Sequence, residues 1–226
     1  MLKLFCKILF GGNKIYDMFW RNKKKPNKIS MQYFSEEVFN VVTHLSTLLV
    51  FSFMSGVMLA TTQNFWTSLI YCFATINLYA SSMLYHYFEK IKLKQILRLL
   101  DHSSINLVIA ATYTPFMVYL NAYEMLTAVW VIAGMNILEM VYAKNVNKMH
   151  LTRYLIMGWM IVLLFPQLIA ELNATSFYFL ICGGLAFTIG TYFFVNDRKK
   201  YYHTIWHLFT SLGSFLHYFS VYYIYN

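Results

Sequence analysis

From Asn40 onward the chain is a succession of apolar runs of roughly 17 to 25 residues, the length a helix needs to cross a bilayer. They lie near 41–60, 67–87, 100–120, 125–143, 154–170, 177–196 and 204–225. This pattern predicts an all-α membrane protein, a seven-transmembrane helix bundle. The connectors lack the polar bulk of a soluble domain, so residues 36–226 read as one membrane domain preceded by a basic tail over 1–35. Composition agrees: 59% of the 226 residues are hydrophobic and 12% charged, against about a quarter charged in soluble domains.

The formal net charge of +9 does not point to nucleic acid, because the basic residues fall in short runs between apolar segments rather than along one amphipathic face. Their placement reads as topology, since cytoplasmic loops carry the excess of lysine and arginine. Eight precede the first run, from Lys3 to Lys28. Lys90, Lys92, Lys94 and Arg98 separate the second from the third, Lys144, Lys148 and Arg153 the fourth from the fifth, and Arg198, Lys199 and Lys200 the sixth from the seventh. The remaining connectors have none. Seven crossings with the N-terminus cytoplasmic and the C-terminus on the opposite side account for all 18 basic residues. The plasma membrane is the expected location.

Smaller signals complete the survey. Met1 to Phe10 lack the long apolar run and small-residue cleavage site of a secretory signal. A basic segment lying on the membrane surface and a mitochondrial presequence both remain as readings of this stretch. Cys6, Cys72 and Cys182 are scattered and form no C-x-x-C pair. The sequon Asn173-Ala174-Thr175 falls in a connector placed outside. Pro115 and Pro166 stand inside the third and fifth runs, where proline removes a helix hydrogen bond.

Ionisable groups within spans are costly and tend to face the bundle interior. Ser82 and His86, at i and i+4, end the second span on the inner side. Asp101 and His102 begin the third there, and His203 and His207, again at i and i+4, begin the seventh. Three neutral imidazoles, His86, His203 and His207, leave the fourth position of a tetrahedral ion open, the arrangement of catalytic rather than structural zinc. Asp101 would orient or deprotonate a water. Ser82 would hydrogen-bond a developing oxyanion or act on the leaving group. Hydrolysis of an amide or ester is the reaction these parts fit.

Each residue taken singly also has a structural reading: His86 reaching for the interface, Ser82 bonding back to a carbonyl, Asp101 capping its helix, His203 in solvent. His102 points roughly 100° from Asp101, so only one of the two should face the cluster, and Asp101 is preferred. His217 lies about 15 Å beyond His207 along the helix, too deep for the same ion. His150 is expected in a solvated loop. Glu37, Asn40 and His44 share one stripe of the first span and are expected to hold the site from behind or to form a structural network. Glu139 is expected to pair with an unidentified polar group.

The chain resembles hemolysin III and the progestin and adipoQ receptors. The residues carrying the likeness are Glu37, Asn40, Thr43 and His44; Ser82 and His86; Leu100-Asp101-His102-Ser103; Thr112-Tyr113-Thr114-Pro115-Phe116; Gly158-Trp159; Gly183-Gly184; and His203-Thr204-Ile205-Trp206-His207-Leu208-Phe209 with Gly213, Ser214 and His217. The resemblance spans about 36–225 and implies a seven-helix fold with a zinc ion on His86, His203 and His207 and an aspartate, Asp101, reaching it through water. Because the wider superfamily includes alkaline ceramidases, it also implies cleavage of a ceramide-like lipid amide. A membrane receptor or a cytolytic protein with a structural zinc is the alternative. Phe187 and Phe194 depart from the family pattern, where tyrosine is expected, and the tail has no counterpart. Neither substrate identity nor oligomeric state follows from the sequence.

Overall fold

The computed structural model describes residues 29–143 and 149–225, and all regular structure among them is helical. The helices are α1 (Phe34–Thr61), α2 (Phe65–Tyr87), α3 (Ile91–Tyr119), α4 (Tyr123–Ala143), α5 (Met149–Trp159), α6 (Phe165–Glu171), α7 (Ala174–Val195) and α8 (Tyr202–Tyr225), with a 3₁₀ segment, Met160–Leu164, between α5 and α6. Among the described residues four stretches are long and apolar enough to cross a membrane: Phe34–Thr61, Tyr123–Ala143, Leu151–Glu171 and Ala174–Val195. The other long helices, α2, α3 and α8, bury serine, histidine, lysine and asparagine. They carry the polar chemistry, and those residues lower their mean hydropathy. The basic tail to residue 28, with Lys144 and Lys148, lies outside the described residues.

Neighbouring helices in sequence pack side by side from α1 to α4, while α8 packs against both α7 and α1 and touches α3. The start of α1 and the start of α8 are tied together directly. Glu36 accepts the Tyr33 N–H at 2.9 Å, capping α1, and its other oxygen accepts the Tyr201 N–H at 2.6 Å. Tyr201 has φ 65°, so the chain turns sharply into α8 at this contact. Tyrosines tie the core across helices. Tyr79 donates to Ser214 Oγ at 2.7 Å and Tyr218 to the Met54 carbonyl at 2.8 Å. Each ring buries its apolar body while its hydroxyl finds a partner in the next helix.

The α7–α8 seam depends on close backbone approach. A Cβ on Gly190 would stand 2.7 Å from Phe209 Cβ and 2.9 Å from Trp206 Cε3. Phe209 Cβ is anchored to the α8 backbone and cannot swing aside. Gly190→Ala is therefore expected to push the helices apart and cost about 1–3 kcal/mol, read as a lowered unfolding temperature in detergent.

Several expectations need correction. The helix that carries the third apolar run starts before it: α3 begins at Ile91, and Asp101 sits in its interior. The capping reading of Asp101 therefore falls. Lys94, read as a loop charge, is fully buried. The fifth span is not one helix. The Tyr113 hydroxyl of α3 accepts the Ile161 N–H at 2.7 Å and donates to the Met157 carbonyl at 2.8 Å, satisfying backbone groups that the break frees. Pro166 stands in the first turn of α6, where proline is tolerated. His150 falls in α5 rather than a loop. The partner expected for Glu139 is present and is Arg153. Asn173, the sequon asparagine, caps α7 by accepting the Ser176 N–H and donates to the Tyr223 carbonyl at 2.7 Å.

Candidate metal centre

His86 closes α2, and His203 and His207 occupy the first turns of α8. Their ring centroids form a near-equilateral triangle, 5.1 Å from His86 to His203, 4.9 Å from His86 to His207 and 4.7 Å from His203 to His207. One ring nitrogen from each lies within 4.8 Å of the other two. Helical spacing stacks the α8 pair, and the α1–α2 and α1–α8 packing brings His86 across to it.

The surrounding hydrogen bonds fix the tautomers. Glu37 Oε2 lies 2.6 Å from His86 Nδ1, so that nitrogen carries the proton and Nε2 presents its lone pair. The Asn40 amide nitrogen stands 3.4 Å from the same Nδ1, which, already protonated, offers it no lone pair; the amide donates instead to Gln32 Oε1 at 2.5 Å, while Asn40 Oδ1 accepts from Thr204 at 2.6 Å. Thr43 gives its only hydroxyl proton to the Asn40 carbonyl at 2.9 Å, so at 3.3 Å it accepts from His207 Nδ1. His207 Nε2 is left as the ligating nitrogen. An imidazole held through its distal N–H is the usual arrangement around a metal.

The orphaned atoms test whether a metal fits. Among the described residues four buried side-chain nitrogens and oxygens have no hydrogen-bond partner, and three of them are His44 Nδ1, His86 Nε2 and His203 Nδ1. Buried polar atoms left unpaired cost roughly 1–3 kcal/mol each. Their concentration in one histidine cluster is what a cation with nitrogen ligands relieves. The donor set fits zinc: three imidazoles, no thiolate, and an open side.

That open side faces a cavity of ≈ 170 Å³. At its polar end stand Ser82, Asp101, His102, His203 and His207, and its body is walled by side chains such as Phe116, Leu155, Ile181 and Phe187. Asp101 is half-buried because it lines this space. Ser82 lines the same end of the cavity beside it. His102 also borders the cavity, so the sequence argument that only one of the pair would face it does not hold. His44 lies flat on His207, with centroids 3.6 Å apart and planes 9° apart. His217 reaches the far wall of the same cavity and contacts the Leu180 carbonyl at 3.2 Å, consistent with a packing role.

Sequence reasoning missed four contributors: Glu36 and Gln32, which brace the network, Thr204, which holds Asn40, and Lys94, which holds Glu37. Glu36 adjoins Glu37, a doubled acid at the mouth of a span, and that was an available signal. Thr204 offered none.

A family profile described as haemolysin-III related matches residues 32–218. "Hemolysin-3" of Bacillus cereus is 29% identical over 201 residues, 84% of this chain and 92% of that protein. "Hemolysin-3 homolog" of Bacillus subtilis (strain 168) is 31% identical over 197 residues, 82% of this chain and 92% of that one. The human "Monocyte to macrophage differentiation factor" is 31% identical over 136 residues, 56% of this chain and 55% of that protein.

Proposed function

This integral membrane chain belongs to the haemolysin-III related family, and on that premise we propose that it is a zinc-dependent hydrolase of a ceramide-like lipid amide. In this reading it crosses the membrane seven times with its N-terminus cytoplasmic and its C-terminus outside, in the plasma membrane. His86, His203 and His207 hold the ion. The observation that carries the reading is the junction of a three-histidine cluster, two of whose rings hold buried nitrogens without a hydrogen-bond partner, with an otherwise apolar cavity. A lipid amide has the same two-part character, a polar reacting group on a long hydrocarbon chain.

Zinc bound there supplies Lewis acidity, easing deprotonation of water and polarising a carbonyl. The protein supplies the rest. The cavity wall takes the acyl chain and excludes bulk water from the amide. Asp101, at the polar end, accepts the proton of the attacking water and returns it to the departing amine. Ser82, at the same end of the cavity, aims the carboxylate. Glu37 and Thr43 hold His86 and His207 from behind, and Asn40 ties together Gln32, Thr43 and Thr204 around them.

Metal analysis of purified protein together with a lipid-hydrolysis screen tests this. About one zinc per chain and release of fatty acid from ceramide support it; a metal-free protein, or a zinc protein that cleaves no lipid amide, sinks it. The second of those outcomes would favour a receptor in which zinc only braces helices, a reading that the convergence of α1, α2 and α8 on the cluster makes physically sensible. The name of the Bacillus cereus relative raises a lytic role, for which leakage of dye from liposomes containing only this protein is the test.

A further inference from the structure

Among the described residues Lys94 is the one buried lysine, fully enclosed in the first turn of α3. Taking an ammonium out of water costs several kcal/mol unless it is paired and hydrogen-bonded. Here it is both. Its Nζ lies 2.8 Å from Glu37 Oε1, donates to the Tyr85 carbonyl at 3.0 Å, and sits 4.8 Å from the centre of the Tyr85 ring.

The carboxylate it binds is shared. Glu37 Oε1 takes Lys94 and the Ser30 hydroxyl, while Oε2 takes the His86 Nδ1–H at 2.6 Å. A carboxylate on a flexible glutamate stem has no preferred rotation of its own. Pinning one oxygen fixes the direction of the other. Three helices meet in this relay: Lys94 on α3, Glu37 on α1 and His86 on α2. A salt bridge serving charge neutrality alone would not need its second oxygen directed at a ring nitrogen of the cluster.

We propose that Lys94 is a positioning residue for the metal centre: by clamping Glu37 it orients the His86 ring, so that Nε2 points at His203 and His207. The inference rests on the reading that these histidines bind a metal. It makes α3, which supplies no ligand, a determinant of metal affinity. It also couples the α2–α3 connector to the site, because the Tyr85 carbonyl and the first turn of α3 both hold the same ammonium.

The test measures Zn²⁺ affinity by chelator competition, and the visible spectrum of bound Co²⁺, on the full chain in detergent. Lys94→Met should weaken binding by roughly 10- to 100-fold, the effect of losing an outer partner of a ligating histidine, and should shift the Co²⁺ bands as the ring turns. Glu37→Gln should do the same. The double variant Glu37→Gln/Lys94→Met should bind no more weakly than Glu37→Gln, since Lys94 acts through Glu37. Lys94→Arg, which keeps the charge, should recover part of the affinity.

Folded Lys94→Met with wild-type affinity and spectrum overturns the proposal, and so do losses that multiply in the double variant. If a single variant does not fold because it strands a buried charge, the double, which removes both charges, decides: wild-type affinity there overturns the relay. A wild-type protein that binds neither ion rejects the zinc reading itself and takes this inference with it, which separates the two failures.

Discussion

Substituting alanine for His207 is expected to empty the site. Zinc should fall from about one per chain to a small fraction, and the tetrahedral Co²⁺ spectrum should disappear. Two imidazoles remain, yet they come from different helices and face a widened gap. The loss should exceed the ~100-fold attached to outer partners, because a ligand itself is gone. The substitution also removes the face on which His44 stacks and the Nδ1–H that Thr43 accepts. Some destabilisation will therefore accompany metal loss, and circular dichroism with size exclusion must show that the helical bundle persists. His217→Ala serves as the control: it lines the same cavity but stands apart from the histidine triangle. It should keep the metal. Unaltered zinc in folded His207→Ala protein would reject the site.

Much of that site was legible because helical arithmetic is local. His203 and His207 share a face by spacing alone, and the placement of lysine and arginine put the end of the second span and the start of the seventh at one depth. Convergence in depth is a one-dimensional property, and hydropathy supplies it. What stayed hidden depends on rotation about the helix axes and on pairing between distant segments. His44 was placed on the right stripe of α1, but nothing local signals that it lies flat against a ring 163 positions away.

Lys94 shows the limit most clearly. A lysine beside three other basic residues between apolar runs is indistinguishable from a loop charge until its partner is known. That partner, Glu37, lies on another helix. The hydropathy pattern consequently marks an apolar run that starts later than the helix carrying it, since the cation that ends an apolar run can equally belong inside a helix that buries it. The break in the fifth span was concealed for a related reason. An apolar run has the same composition whether it is α-helical or interrupted, and it is the Tyr113 hydroxyl, from α3, that takes up the backbone groups around Ile161. The Asp101 and His102 choice failed because a cavity wider than one side chain accepts neighbours 100° apart.

Asp101→Asn is the sharpest test of the chemistry. Asparagine keeps the size of the side chain, so the cavity wall and the histidine triangle should stay as they are. Its amide cannot take up a proton. Zinc content should therefore match wild type, while hydrolysis of the lipid amide should fall by about 10²- to 10⁴-fold, the range for a lost general base. The fall should appear in kcat with KM little changed, because the apolar wall rather than the carboxylate holds the acyl chain. Ser82→Ala should fall less, since the carboxylate survives without its aim. A loss of zinc in Asp101→Asn would instead make Asp101 part of the metal's support, and full activity with zinc retained would remove it from the reaction. The pairing of intact metal with absent turnover is the one result that a purely bracing ion does not produce, because a brace has no step that depends on a proton acceptor at the edge of the cavity.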